Sequence, residues 1–216
     1  SDLNHSFHHE SWLHSYSRSQ IKEELVRAHD SIVDATGQKP KGFRGPGFSW
    51  NNDLLELLYE MDYDYDASTL PTYIGPLARM YYFWKSSLSK EEKKDRNDLF
   101  GKFSEGFRPL KPYYHELDGE KRILEIPVTT IPGIKIPFHL SYLIFLSGIS
   151  MTLMKSYLWF AIFMCRITNT HPSFLLHPLD LIGGDKLTQL QFFPGMNMNS
   201  EKKTMIFKKA IAFLKI

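Results

Sequence analysis

The sequence predicts an α/β fold, because segments with helical periodicity alternate with short apolar runs of strand character, and turn residues separate the two. A length of 216 residues suits one sizeable core, so a single domain over 1–216 is expected. The composition, 43% hydrophobic and 23% charged, is that of an ordinary globular chain.

The elements follow in order. Ile21, Leu25, Ala28 and Ile32 recur near the helical period, so a helix is predicted from Arg18 to Ala35; Ser17 and Gln20 form its capping box and Gly37 ends it. Residues 41–44, KGFR, read as a short strand running into the turn Gly45-Pro46-Gly47. A second helix is expected from Asn52 to Met61, with Leu54, Leu55 and Leu58 on its apolar face and Asn51 as cap. YDYDAS at 63–68 alternates like a strand, and ILEIPV at 123–128 reads as another that stops at Pro127. Between them, about 71–122 reads as a long irregular insertion rich in Tyr, Phe, Lys and Glu, expected to form a rim or lid.

Residues 137–165 carry one formal charge, Lys155, and are nominally long enough to cross a bilayer. The central lysine would cost roughly 2.5–3.5 kcal/mol there, and Ser141, Ser147, Gly148, Ser150, Thr152 and Ser156 dilute the run. A buried or amphipathic surface helix is therefore the preferred reading, and a membrane anchor the rival one. PSFLLH at 172–177 reads as a buried parallel strand, and Ser200 to Leu214 as a helix whose apolar face includes Ile206, Phe207, Ala210, Ile211, Phe213 and Leu214.

Charge and cysteine content narrow the function classes. The formal net charge is only +2, and bases are interspersed with acids, as in KEEKKDRND at 90–98, so no nucleic-acid footprint is present. The single cysteine, Cys165, excludes an intrachain disulfide and a multi-cysteine metal site; its apolar neighbours suggest a packed thiol. The opening SDLNHSFHH has neither a charged n-region nor an apolar h-region of a signal peptide. Localisation and oligomeric state stay open.

Three clusters carry chemistry. His5 and His9 are four apart, so on a helical turn both imidazoles would share one face and could bind one metal ion; with nine histidines in the chain, a chance pair is the alternative. Phe43-Arg44-Gly45-Pro46-Gly47-Phe48 sets a tight strand-to-helix turn whose backbone N–H groups could hold an oxyanion beside the fixed charge of Arg44; a routine turn is the plainer reading. His177, ending the run Leu175-Leu176-His177, could be a general acid or a structural histidine. All three clusters fall at the C-terminal ends of predicted strands, where barrel enzymes build their sites.

These residues resemble the polysaccharide deacetylase family, also called the chitooligosaccharide deacetylase homology domain. His5-Ser6-x-x-His9 is similar to its metal-binding motif, Arg44-x-Pro46 to its third motif and Leu175-x-His177 to its last, in the family's order. The resemblance implies a distorted (β/α) barrel and a metal-dependent hydrolase that removes acetyl groups from N-acetylated sugars. It further implies a divalent metal, zinc with Co2+ or Mn2+ as alternatives, on His5 and His9. Arg44 would orient a catalytic carboxylate, the Gly47 N–H would help hold the oxyanion, His177 would be the acid or its positioning partner, and Pro127 and Thr129, in the partial match to the fourth motif, would bind substrate. The family's Thr-Phe-Asp-Asp segment, source of the base and a third metal ligand, precedes the two histidines; only four residues precede His5, so the barrel is expected to be incomplete at the N-terminus. The alternative is a catalytically inactive barrel that binds glycan by stacking on Tyr73, Tyr81, Tyr82, Trp84, Tyr113 and Tyr114.

Overall fold

The computed structural model describes residues 3–74, 103–191 and 195–214. The chain divides into two compact units, Ser1–Val128 and Thr129–Ile216.

The first unit is α/β. Strands β1 (Leu3–Asn4), β2 (Gly42–Phe43), β3 (Tyr65–Asp66), β4 (Tyr113–Glu116) and β5 (Arg122–Glu125) form one sheet in the order β1-β2-β3-β5-β4. The pairs β1–β2, β2–β3 and β3–β5 are parallel, and β4 is an antiparallel edge. Helix α1 (Arg18–Thr36) crosses from β1 to β2 and α2 (Asn52–Glu60) from β2 to β3, as parallel neighbours require. Ser17 and Gln20 make the expected capping box, and the Gly37 amide donates to the Val33 carbonyl at the far end. Asn51 caps α2 through the Leu54 amide. Ile21 and Leu25 of α1 and Leu54, Leu55, Leu57 and Leu58 of α2 pack with Phe43, Tyr63 and Ile123 into one core. Gly42 belongs to this arrangement because a Cβ there would lie 2.3 Å from the Tyr65 ring on the neighbouring strand.

The sheet is open among the described residues, so the observed class is mixed α/β with a mostly parallel sheet. The strands are very short, and their register lines up Asn4, Phe43, Asp66, Glu125 and Tyr113 in one row across the sheet.

The second unit is helical: α3 (Leu140–Ile149), α4 (Met151–Ile167) and α5 (Ser200–Leu214). They enclose a core that includes Phe138, Leu143, Ile144, Met154, Leu158, Ala161, Ile206 and Ala210. The 137–165 stretch is two helices. Ser150 takes extended backbone angles (φ −158°, ψ 131°), and its hydroxyl caps α4 at the Leu153 amide. Among the described residues no helix is long and apolar enough to cross a membrane. Cys165 is buried as expected, which pushes its thiol up to about 11.

Three expectations need correction. Residues 5–9 are not helical, since Ser6 and His9 take φ of 56° and 59°. Residues 172–177 form no strand: the Ser173 carbonyl accepts from the Thr129 amide and the Leu175 carbonyl from the Leu140 amide, but no ladder develops, and Pro172 has no N–H to contribute. The insertion is not wholly irregular, for it contributes β4, joined to β5 by a turn in which Leu117 donates to the Lys121 carbonyl and Gly119 and Glu120 have φ of 73° and 64°. Residues 75–102, including Tyr81, Tyr82 and Trp84, lie outside the described residues.

Candidate active site

The loop after β1 carries the two histidines. Its base is Asn4, fully buried, whose side-chain amide donates to the Leu25 carbonyl (3.0 Å) and the Tyr63 hydroxyl (2.8 Å) while its Oδ1 accepts from the Ser6 amide (3.0 Å). Glu24, on the buried face of α1, clamps the middle of the loop: Oε2 accepts from the amides of Phe7 (3.0 Å) and His8 (2.9 Å), and Oε1 meets His8 Nδ1 at 2.5 Å. Burial pushes the Glu24 carboxyl up, but the bonds from His8 and Phe7 together outweigh it and leave the pKa below its ordinary value. The Ser6 hydroxyl accepts from the His9 amide at 3.1 Å. So held, the loop brings the His5 and His9 rings edge to face, with centroids 4.5 Å apart. A loop, not a helical turn, achieves the pairing.

The loop after β2 joins them. The Arg44 amide donates to the Asn4 carbonyl (3.0 Å), and the Arg44 carbonyl is hydrogen-bonded to His5 Nδ1. With Nδ1–H donating there, the imidazole lone pair lies on Nε2, the tautomer suited to a metal ligand. Arg44 Nε donates to the Ala67 carbonyl (3.0 Å), and burial pushes the guanidinium pKa down against the pull of Asp66, Tyr65 and Glu125. Gly47 has φ 59° within the short turn Pro46–Phe48. Gly45, which donates its amide to the Ser68 hydroxyl (2.7 Å), is confined to glycine because a Cβ would lie 1.8 Å from the Ser49 carbonyl oxygen.

Residues of β3, β4 and β5 add an acidic centre that the sequence reading missed. Asp66 and Glu125 are paired in register on neighbouring strands, and neither is exposed. Asp66 Oδ1 accepts from the Ser68 hydroxyl (2.5 Å), and Glu125 Oε1 accepts from the Thr69 amide (3.0 Å) and hydroxyl (2.6 Å). Among the described residues Asp66 Oδ2 and Glu125 Oε2 have no hydrogen-bond partner unless a proton lies between them. Burial, then the Glu125 charge, pushes the Asp66 carboxyl well up; burial likewise raises Glu125. Two carboxylates so placed cannot both ionise cheaply, so the pair can take up and release a proton. His115 Nε2 lies 3.6 Å from Glu125 Oε2, and its ring packs against Trp50 and Tyr113; burial pushes its pKa down. The available signal was Glu125 as the lone acid of ILEIPV and Asp66 as the second of two acids, after Asp64, in YDYDAS.

The remaining expected residues lie as follows. Pro127 is buried in the first unit, and Thr129 is buried in the second, where its hydroxyl accepts from the Ser173 amide at 2.7 Å. His177, also in the second unit, is half exposed; its Nδ1 is 3.4 Å from Asp180 Oδ2 and 3.3 Å from the Ser141 hydroxyl. Burial pushes the Asp180 carboxyl up, but bonds from His177 and Ser141 outweigh it, so it stays below its ordinary pKa. The structure thus brings His5, His9 and Arg44 together. Among the described residues no group of three or more His, Cys, Asp or Glu converges as a metal site; His5 and His9 stand together as a pair.

Comparison with known proteins follows this geometry. Residues 3–65 match the family model described as polysaccharide deacetylase. No curated protein matches the chain. Among solved structures, a "putative polysaccharide deacetylase from Mycobacterium smegmatis" is 17% identical, with a TM-score of 0.39, over 71% of this chain and 44% of that one. The chain therefore spans less than half the length of that protein. The matched segment runs from β1 through α1, β2 and α2 to Tyr65 and contains His5, His9, Arg44 and Gly47, so over residues 3–65 the chain is similar to the polysaccharide deacetylase family, as the resemblance read from the sequence implies.

Proposed function

We propose that this chain belongs to a metal-dependent hydrolase that removes acetyl groups from N-acetylated sugars, built as a distorted (β/α) barrel. The observation that carries the reading is the hydrogen bond between His5 Nδ1 and the Arg44 carbonyl, which ties the two-histidine loop to the arginine loop inside the family-matched segment. In this reading His5 and His9 hold a divalent metal, zinc with Co2+ or Mn2+ as alternatives. When bound, such an ion supplies Lewis-acid polarisation of the amide carbonyl.

The chain's own residues divide the remaining work. Arg44, fixed by its bond to Ala67, orients the carboxylate that acts as base, and the Gly47 N–H lies in a turn able to face an oxyanion. His177 gives its proton to the departing amine, with the Asp180 carboxylate beside Nδ1 setting the ring's orientation. Pro127 and Thr129 are interior, so their part in substrate binding is to shape the backbone that carries it.

The test pairs two measurements, each made with and without a His5→Ala, His9→Ala change: zinc binding by titration calorimetry and acetate release from N-acetylated oligosaccharides. Acetate release is assayed on a version extended upstream at the gene level to include the base-bearing segment; zinc binding and acetate release by that version, both lost in its His5→Ala, His9→Ala variant, are expected. Equal zinc affinity with and without the two histidines would overturn the assignment of the ligands, and no acetate release by the zinc-loaded extended version would overturn the activity.

A further inference from the structure

Helix α4 is apolar on both sides. Its inner side, Met154, Leu158, Ala161 and Cys165, is in the core. Its outer side carries Leu153, Trp159, Phe160, Phe163 and Ile167, between 38% and 61% exposed. At 3.6 residues per turn Leu153, Phe160 and Ile167 (i, i+7, i+14) fall on one ridge, with Phe163 and Trp159 beside it. The rings of those two stack at 5.4 Å. Phe145 and Ile149, at the adjoining end of α3, are 67% and 65% exposed. A cluster of large exposed side chains of this kind marks a surface that something covers.

Charge says what. From Ile126 to Leu179 there is no Asp or Glu, although the whole chain has 24 acids against 26 bases. The only formal charges in that stretch are Lys135, Lys155 and Arg166. Lys155 and Arg166 are eleven residues apart, about three turns, so both lie along one border of the exposed apolar ridge. A helix with Trp and Phe on its outer side and bases along the border has the pattern of one that lies in a membrane interface. A symmetric contact with a second copy would bury the same apolar ridge but bring these borders into play as like charges, with no acid from this stretch to pair them.

We infer that the outer face of α4, with the end of α3, docks on an anionic lipid surface, the aromatic residues entering the headgroup region and Lys155 and Arg166 meeting lipid phosphates or carboxylates. The helix lies on the surface and does not cross it, in keeping with its length. This inference is independent of the deacetylase reading.

The experiment is flotation of the chain with vesicles of phosphatidylcholine alone and of an equimolar mixture with phosphatidylserine. Two variants accompany it, Trp159→Ser with Phe163→Ser, and Lys155→Glu with Arg166→Glu, each checked by circular dichroism. Binding to the anionic vesicles, weakened by salt and by about tenfold or more in each variant, is expected. No flotation with anionic vesicles, or equal flotation of wild type and both folded variants, would overturn the inference. So would a wild-type dimer in sedimentation that the Trp159→Ser, Phe163→Ser change converts to monomer while vesicle binding is absent, because the face would then be a contact between copies.

Discussion

His139 gives the sharpest test of the second unit. It precedes α3, is 9% exposed, and its Nδ1 is buried with no hydrogen-bond partner among the described residues. Burial first, then the nearby His177 ring, pushes its pKa down to about 4 against the opposing pull of Asp180. The folded state therefore keeps this imidazole neutral where the unfolded chain, with an ordinary value near 6.5, takes up a proton. The unfolded state binds more protons between those values, so stability is fully present above the unfolded pKa and falls as pH drops toward the folded one. At 1.36 kcal/mol per unit the full loss is roughly 3 kcal/mol, of which about 2 kcal/mol is reached by pH 5. The assay is urea denaturation followed by helical circular dichroism at pH 7.5 and pH 5, for the wild type and for His139→Leu, which cannot charge. Titrating groups that do not interact with His139 contribute to both chains alike, so the difference between the two pH responses reports His139 together with its coupling to His177 and Asp180. A wild-type loss about 2 kcal/mol greater than the variant's is expected. Parallel pH responses would refute the argument that desolvation governs this histidine.

Two further outcomes test the first unit. The Asp66–Glu125 pair binds protons more tightly folded than unfolded, because both carboxyls are pushed up, so its contribution is present at low pH and is lost as pH rises through the folded values. A protonated-carboxyl stretch in the infrared spectrum that persists to higher pH than in the unfolded chain, absent in Glu125→Gln combined with Asp66→Asn, is the expected signature; its absence in the wild type would count against proton sharing. Glu24→Ala should cost about 1–3 kcal/mol in thermal or urea unfolding, because the amides of Phe7 and His8 lose their acceptor in a part-buried loop. A variant as stable as the wild type would mean that water replaces the carboxylate at no cost.

Helix boundaries and caps were legible from local signals. Ser17 with Gln20, Asn51 and the span Ser200–Leu214 all stand where the sequence put them, because capping and helical periodicity depend on residues a few positions apart. The α/β class and the family resemblance were legible for a related reason: alternating patterns and short ordered motifs are local.

What the sequence could not yield was the outcome of contacts between distant segments. His5 and His9 meet through a loop held by Glu24, nineteen and fifteen positions away, so their spacing suggested a helix that never forms. YYHE became a strand because β5 offered it an edge, and PSFLLH did not because it found no ladder. Asp66 and Glu125, 59 positions apart, became one acidic pair only when β3 and β5 aligned in register. The sequence by itself determined where helices start and stop and which motifs the chain carries; the tertiary structure decided which polar groups are deprived of water together, since burial and its electrostatic cost exist only once separate strands and loops enclose the same space.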